Sequence, residues 1–205
     1  MTNRDLVVEL INKNFPQRAV SILEKLDIYF NWLVEINQKI NLISRKTEPD
    51  EYWTLHFLDT LLITDVVKFK DEYILDFGTG GGLPGIPLAI LYPNAKIFLL
   101  DARKKKLAVI AEVCELLDLD NVELIHGRAE EVAFHFASTF NVIVSRSVRI
   151  TKELKKPLLD MLANKGKIYF YKSLQLDDMC HFKKRKTHNV SCDEIGTRRI
   201  VEAWK

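Results

Sequence analysis

The stretch that decides the fold is Ile74-Leu75-Asp76-Phe77-Gly78-Thr79-Gly80-Gly81-Gly82-Leu83-Pro84-Gly85. It joins a short apolar run to a cluster of glycines, and Pro84 marks the start of a helix. Glycine suits such a turn because several backbone positions need positive φ and because a side chain would keep a ligand away from the backbone. In a doubly wound α/β sheet, a loop of this kind lies at the carboxyl end of the first strand, where ligands bind. The stretch therefore predicts a strand, a ligand-binding loop and a helix.

Downstream of this loop, short apolar runs alternate with segments long enough for helices. The predicted strands cover 73–77, 97–100, 122–125, 142–144 and 168–171, and the predicted helices cover 84–92, 103–117, 129–137 and 151–163. Strands that are almost entirely apolar and separated by helices indicate a parallel sheet covered on both faces. Two further strand-like runs, 189–192 and 200–204, flank a turn at Gly196-Thr197 and are predicted to pair antiparallel.

Upstream of the loop, the pattern changes to helical periodicity. Apolar residues recur every three or four positions over residues 6–11 and 19–36. Pro49-Asp50-Glu51 predicts the start of a third helix, because proline fits a first turn and negative charge suits the amino end. The expected fold is therefore α/β, doubly wound and mostly parallel in a Rossmann-like arrangement, with residues 1–70 as a helical N-terminal segment and 71–205 as the sheet-containing domain.

Composition narrows the class of protein. Hydrophobic residues make up 47% of the chain, which is ample for a packed core, and the net charge of +2 does not by itself identify an acidic partner. Cys114, Cys180 and Cys192 are too widely spaced for a C-x-x-C zinc site, so reduced thiols in a cytoplasmic protein are expected. His56 and Asp59 lack further ligands nearby, which favours a hydrogen-bonded histidine at a helix–sheet junction over a metal site. No apolar run is long enough to span a membrane.

Two kinds of cofactor site use a loop of this type. The dinucleotide string G-x-G-x-x-G occurs at 80–85, but the first glycine after the strand is Gly78, which puts Leu83 where the third dinucleotide glycine belongs. Asp76 is expected to place a carboxylate beside the loop, where it would repel a pyrophosphate and attract the cationic groups of S-adenosylmethionine. The charge pattern favours S-adenosylmethionine, and a nicotinamide-dependent oxidoreductase is the alternative left open.

Two later segments are expected to complete the cofactor site. Asp101 ends the second predicted strand, where its carboxylate is placed to accept hydrogen bonds from the hydroxyls of a ribose. The loop at 126–131 follows the third strand over the same edge of the sheet and is expected to line an adenine pocket. A glycine cluster is often a simple turn and an aspartate at a strand end is often a helix cap. The order of strand, glycines, helix, strand and acid nevertheless favours a nucleotide-type cofactor.

A set of specific motifs runs through most of the chain: Asn41-Leu42, His56 to Thr60, Asp76 to Pro87, Leu99 to Asp101 with Lys104-Lys105, Gly127 to Glu130, Ser145-Arg146 and Tyr171-Lys172. From about Trp32 onward the sequence resembles the bacterial 16S ribosomal RNA guanine-N7 methyltransferases of the glucose-inhibited division B type. The resemblance implies methyl transfer from S-adenosylmethionine to N7 of a guanine in small-subunit ribosomal RNA. The chain departs from the family pattern at Ser147 and Ser173, where alanine and glycine are usual.

The resemblance and the loop pattern together give the candidate site residues. The candidate cofactor-binding residues are Gly78, Gly80, Leu83, Asp101, Ala129, Glu130 and Arg146. Guanine N7 has an in-plane lone pair and no proton, so the enzyme needs no general base and acts mainly by positioning. Arg146, at the end of the fourth predicted strand, is the candidate catalytic residue that orients the cofactor or the guanine; a surface salt bridge is the alternative.

The expected partner is small-subunit ribosomal RNA or a ribosomal particle. N7 faces a major groove that is too deep and narrow to read in A-form RNA, so the target guanine is expected in a loop or flipped out. Basic clusters near predicted strand ends are expected to hold phosphates around the active-site face. The candidate RNA-binding residues are Lys104, Lys105, Arg149, Lys183, Lys184 and Arg185, the last three within a basic run predicted as a mobile loop. A noncatalytic RNA-binding factor with the same fold is the second alternative.

Overall fold

A seven-stranded sheet forms the centre of the computed structural model, which describes residues 2–190 and 192–205. The strands are β1 (Tyr73–Phe77), β2 (Lys96–Asp101), β3 (Val122–His126), β4 (Phe140–Arg146), β5 (Leu162–Lys172), β6 (Arg185–Asn189) and β7 (Arg199–Ala203). Their order across the sheet is β3-β2-β1-β4-β5-β7-β6. Strands β1 to β5 run parallel, and β7 runs antiparallel to both of its neighbours. The predicted doubly wound, mostly parallel sheet is confirmed.

The order of the strands fixes where a ligand can bind. The chain builds β2 and β3 on one side of β1 and then returns to place β4 on the other side. The connections leaving β1 and β4 therefore diverge at the carboxyl edge of the sheet and open a crevice between them. The glycine loop follows β1 directly, so it lies in this crevice.

Helices cover both faces of the sheet. They are α1 (Asn3–Asn14), α2 (Ala19–Lys39), α3 (Asp59–Leu61), α4 (Gly85–Leu91), α5 (Lys104–Leu116), α6 (Ala129–Val132) and α7 (Lys152–Met161). One core joins α1, α2, α4 and α5 to alternate sheet residues such as Ile74 and Leu99, while a second core joins α6 and α7 to Leu75 and Phe98. Because α1 and α2 share a core with the sheet, the division at residue 70 into two domains stays a prediction.

The prediction of a single helix beginning at Pro49 is wrong, because the segment is not one continuous α-helix. The segment winds instead through a 3₁₀ turn (Pro49–Glu51), a π-helical turn (Trp53–Leu58), the single α-turn of α3 and a second 3₁₀ turn (Leu62–Asp65). Wide π-turns insert a residue into the helical repeat and re-aim the side chains around it, often at functional sites. Here the change brings His56 and Asp59 to the carboxyl edge of the sheet, next to the end of β4.

The C-terminal part of the chain corrects a second prediction. The strand expected at 189–192 is instead β6, which lies at 185–189 and pairs antiparallel with β7, and Ser191 is outside the described residues. The basic run is therefore partly strand rather than a mobile loop. A charged sequence is compatible with β6 because it is an edge strand, where charged side chains prevent pairing with other chains. The helix predicted at 129–137 also ends early, at Val132.

No helix in the described part of the chain is long and apolar enough to cross a membrane. The three cysteines, Cys114, Cys180 and Cys192, are free thiols.

Candidate active site

The glycine loop bends sharply away from β1 toward β2. The backbone N–H groups of Gly78 and Thr79 both donate to the carbonyl of Leu100, at 3.0 Å each. Gly78 has φ +76° and Gly80 has φ +58°, conformations that other residues seldom adopt. A Cβ at Gly78 would lie only 2.6 Å from Cγ2 of Val148, in the segment that follows β4. The loop thus needs glycine both for its conformation and for this close approach.

Asp76 does not face the crevice, contrary to expectation. Its side chain is fully buried beneath the loop, and its Oδ2 accepts a hydrogen bond from the backbone N–H of Gly85 at 2.9 Å. Burial raises the pKa of this carboxyl to about 6, while the backbone hydrogen bond from Gly85 opposes the shift. Strand residues alternate between faces, and position 76 points toward α4. Asp76 therefore fastens the start of α4 to β1.

Asp101 lies at the end of β2 as predicted, half-buried beside the loop. Its Oδ2 accepts from the N–H of Gly80 at 3.1 Å, and its Oδ1 accepts from the N–H of Arg103 at 2.8 Å. A carboxylate has about four acceptor positions, so two of these remain for a ligand. Asp101 thus supports the loop and the start of α5, and its role as a ribose partner stays a prediction.

The first cavity lies between the ends of β1 and β2 and the helices α6 and α7. It has a volume of about 350 Å³. Its lining brings together four of the predicted cofactor residues, Gly78, Asp101, Ala129 and Glu130, along with apolar side chains such as Leu154. The segment after β3 thus contributes to this cavity, as the sequence analysis expected of the loop at 126–131.

The second cavity lies on the other side of the glycine loop, with a volume of about 520 Å³. Gly78 and Asp101 line it as well as the first cavity, and the remaining predicted cofactor residues Gly80, Leu83 and Arg146 belong to it. The segment at 41–44, after α2, forms its opposite wall.

Two basic residues that the sequence analysis did not select also line the second cavity. They are Arg103 and Lys106, whereas the selected Lys104 and Lys105 are exposed on α5 and line neither cavity. Lys106 Nζ donates to the carbonyl of Leu42 at 3.4 Å, and partial burial lowers the pKa of its amine. Their i, i+3 spacing puts these two on one side of the helix start. This spacing is visible in the sequence and could have identified them.

The third cavity opens next to the second, with a volume of about 380 Å³. The two share His56, Arg146, Ser147 and Val148, which form the boundary between them. The rest of the lining comes from distant parts of the chain: Leu55, Asp59, Arg149, Tyr171, Lys172, Ser173, Gln175, Asp177, Asp178 and Arg198.

Arg146 lies at this boundary, with only 9% of its side chain exposed. Its Nη1 donates to the carbonyl of Leu55 at 3.2 Å and to Asp59 Oδ2 at 3.3 Å, and it lies 3.4 Å from Nδ1 of His56. Burial, helped by the charge of Arg146, lowers the pKa of His56 to about 3, so the imidazole is neutral and can accept a hydrogen bond. Arg146 is thus an internal group of the site and not a surface salt bridge.

Asp59 connects this arginine to a second one. Arg198 Nε donates to Asp59 Oδ1 at 2.8 Å, so each carboxylate oxygen is held by a different guanidinium. Beside them, Tyr171 donates its hydroxyl proton to the carbonyl of Thr60 at 3.1 Å. The sequence analysis named Asp59 only when it weighed a metal site and did not name Arg198, which lies 139 positions away.

The outer wall of the third cavity carries two further ion pairs. Lys172 Nζ contacts Asp178 at 2.5 Å, and the more exposed Arg149, a predicted RNA-binding residue, contacts Asp177 at 2.7 Å. In the part of the chain that the structure describes, no group of three or more histidine, cysteine, aspartate or glutamate side chains is arranged to hold a metal ion.

Lys183, Lys184 and Arg185 do not surround this site. Arg185 is level with Ala203 and hence with Ile168, four residues before the carboxyl end of β5. At a rise of about 3.3 Å per residue this places Arg185 roughly 13 Å below the edge that carries the glycine loop, and the two lysines precede it. The expectation that they ring the active-site face is wrong, because β6 enters the sheet from the opposite end.

Comparisons with known proteins identify relatives by sequence and, separately, structures with a similar fold. The profile of the family described as "GidB: rRNA small subunit methyltransferase G" matches residues 22–199. The ribosomal RNA small subunit methyltransferase G of Flavobacterium psychrophilum is 39% identical over 211 residues, covering 95% of this chain and 96% of that protein. Its namesake from Lachnoclostridium phytofermentans is also 39% identical, over 74% of this chain and 63% of its own length. A mutant of MtNAS in complex with S-adenosylmethionine has a similar fold, with a TM-score of 0.62, 13% identity and coverage of 96% and 82% of the two chains.

Proposed function

Because the chain belongs to the family of rRNA small subunit methyltransferase G, we propose that it transfers a methyl group from S-adenosylmethionine to N7 of a guanine in 16S ribosomal RNA. The structural observation that supports this proposal is the arrangement of three adjoining cavities. The glycine loop separates two cavities that share Gly78 and Asp101, and Arg146 joins the second of these to a third. Family membership argues against both alternatives, the nicotinamide-dependent oxidoreductase and the noncatalytic RNA-binding factor.

The residues of the first two cavities fit S-adenosylmethionine. At Gly80 the absence of a side chain lets a ligand approach the backbone, at Gly78 it makes room for Val148, and Asp101 keeps free acceptor positions for ribose hydroxyls. Ala129 and Glu130 would hold the adenosine end in the first cavity. Leu83, Arg103 and Lys106 in the second cavity would face the amino acid end, whose carboxylate suits two cations.

The chemistry requires little from the protein besides placement. S-adenosylmethionine supplies a methyl group on positively charged sulfur. Guanine N7 carries no proton, so no residue here has to act as a base, and the low pKa of His56, about 3, makes its imidazole a weak proton acceptor. Holding N7 in line with the methyl group supplies most of the rate acceleration. We assign that positioning to Arg146, where the second and third cavities meet.

The RNA would approach the third cavity from outside. Arg149 lies on its rim, and Arg103 opens onto the neighbouring cavity. Lys104 and Lys105 are exposed on the same helix start and stay candidates for phosphate contacts. Since its substrate would be the small ribosomal subunit or its RNA, we place the reaction in the cytoplasm.

Radiolabelled methyl transfer tests the function directly. The protein is incubated with methyl-labelled S-adenosylmethionine and either small-subunit particles or naked 16S ribosomal RNA, and the digested nucleosides are separated. We expect label in 7-methylguanosine for the wild type and none for Arg146→Ala, whose S-adenosylhomocysteine binding and melting temperature are measured alongside. Absence of label from both substrates, or label in another nucleoside, would contradict the proposal.

A further inference from the structure

The third cavity contains a pair of arginines held by one carboxylate. Asp59 accepts from Arg198 Nε at 2.8 Å through one oxygen and from Arg146 Nη1 at 3.3 Å through the other. The Asp59 side chain is only 12% exposed, so water competes little for it. Both guanidinium groups are therefore fixed at the wall of the cavity by the same side chain.

Unpartnered polar atoms mark the same wall. Among the described residues, Arg146 Nε and His56 Nε2 are buried without a hydrogen-bond partner. Leaving such atoms unpaired is costly, and a ligand that satisfies one of them gains the corresponding stabilisation. Because both residues line the boundary of the second and third cavities, a ligand entering the third cavity would come close to them.

The donors at this wall match one edge of guanine. That edge presents two acceptors side by side, N7 and O6, whereas adenine presents N7 beside an amino group that donates. When N7 faces the methyl donor in the second cavity, the group at C6 lies beside it, next to the arginines. Guanine O6 would accept from a guanidinium there, while the amino group of adenine would meet a donor and find Asp59 already engaged.

We propose that the third cavity receives the target guanine, that Arg146 and Arg198 select it through O6, and that Asp59 is the positioning residue that holds both arginines. The inference rests on the proposed function and adds how the base is chosen. Arg198 enters the site from the loop before β7, and Asp59 enters it from the turn segment near the N-terminal helices. Base selection thus depends on residues from distant parts of the chain.

Three variants test this inference: Arg198→Ala, Arg198→Lys and Asp59→Asn. Methyl transfer to small-subunit particles is measured over a range of particle and salt concentrations, with calorimetric binding of S-adenosylhomocysteine and melting temperature as checks. We expect Arg198→Ala to lower kcat by about 10- to 100-fold, which corresponds to one lost hydrogen bond to a charged group. Particle KM, salt dependence and S-adenosylhomocysteine affinity should change little, and Arg198→Lys should recover part of kcat. Asp59→Asn should lower kcat in the same way.

The matched control is Lys156→Ala, which also removes one positive charge but from an exposed position on α7. It should behave as the wild type. If Arg198→Ala keeps kcat, or instead raises KM and weakens the salt dependence as loss of a phosphate contact would, the inference is overturned while the methyltransferase function stands. Failure of the wild type to methylate would reject the function itself. If Asp59→Asn does not fold, Asp59 has a structural role, and the two Arg198 variants alone test whether the arginines select the base.

Discussion

Two positions in the crevice around the glycine loop differ in whether they can carry a side chain. Gly78 must lack a side chain, since Val148 closes over it, and Asp101 must have one, since its carboxylate holds the N–H groups of Gly80 and Arg103. Both line the first and the second cavity. A change at either position should therefore affect cofactor binding as well as stability.

Gly78→Ala should lower the affinity for S-adenosylhomocysteine by about 10- to 100-fold, because relieving an overpacked contact costs about 1–3 kcal/mol. The added Cβ would push Val148, 2.6 Å away, toward the ligand. Isothermal titration calorimetry measures the change. Gly196→Ala is the control, with a similar backbone strain at φ +65° but no atom within 4 Å of the new Cβ. Equal affinities for the two variants would contradict the explanation by crowding at Gly78.

At this scale the sequence predicted the lining of the first two cavities better than that of the third. The glycines, Asp101 and the 126–131 loop are local signals, because each directly follows a strand. Asp76 was misassigned, since the sequence does not reveal which face of β1 a buried carboxylate occupies. The pairing of Asp59 with Arg198 has no local signal at all, because only the folded sheet brings the two together.

Among the elements, α2 contacts the glycine loop directly through one side chain. Its Tyr29 is fully buried and donates its hydroxyl proton to the carbonyl of Gly81 at 2.6 Å, and it packs at 5.4 Å against the ring of Phe57 in the π-turn. The helical N-terminal segment thus supports the glycine loop from behind. Helical periodicity predicted α2 but not its contact with the glycine loop. It also missed the π-turn, because a change in backbone hydrogen bonding does not show in the spacing of apolar residues.

Tyr29→Phe should destabilise the protein by about 1–3 kcal/mol, the cost of leaving a buried carbonyl unpaired. The loop would also lose a fixed point, so the affinity for S-adenosylhomocysteine should fall several-fold. Urea unfolding and calorimetry give the two quantities. Tyr73→Phe, at a 44% exposed tyrosine on β1, is the matched control. An unchanged Tyr29→Phe protein would mean that the loop holds its shape without help from α2.

Over the whole molecule, the helical segment and the sheet share a hydrophobic core. The core that contains α1 and α2 also contains residues of β1, β2 and β4. Separating the two parts would expose a large apolar surface on each, and burial of such surface is the main driving force for folding. The alternation of apolar strands and helices was enough to predict the class of fold, but not how closely residues 1–70 join the rest.

The intact protein should therefore unfold in a single transition. In a Trp204→Phe variant, the fluorescence of Trp32 and Trp53 reports on the N-terminal segment, and far-ultraviolet circular dichroism reports on the whole chain. In urea the two curves should coincide, which is the test for a two-state process. An earlier loss of the fluorescence signal would support two independent folding units.

The position of β7 has a consequence for how the enzyme is made. It is the last of the seven strands in chain order, yet it occupies the slot between β5 and β6. During synthesis that slot stays open until residues 199–203 leave the ribosome, although the crevice around the glycine loop consists of residues made much earlier. A nascent chain would thus lack Arg198, and with it a complete third cavity, until the segment leading into β7 has been made.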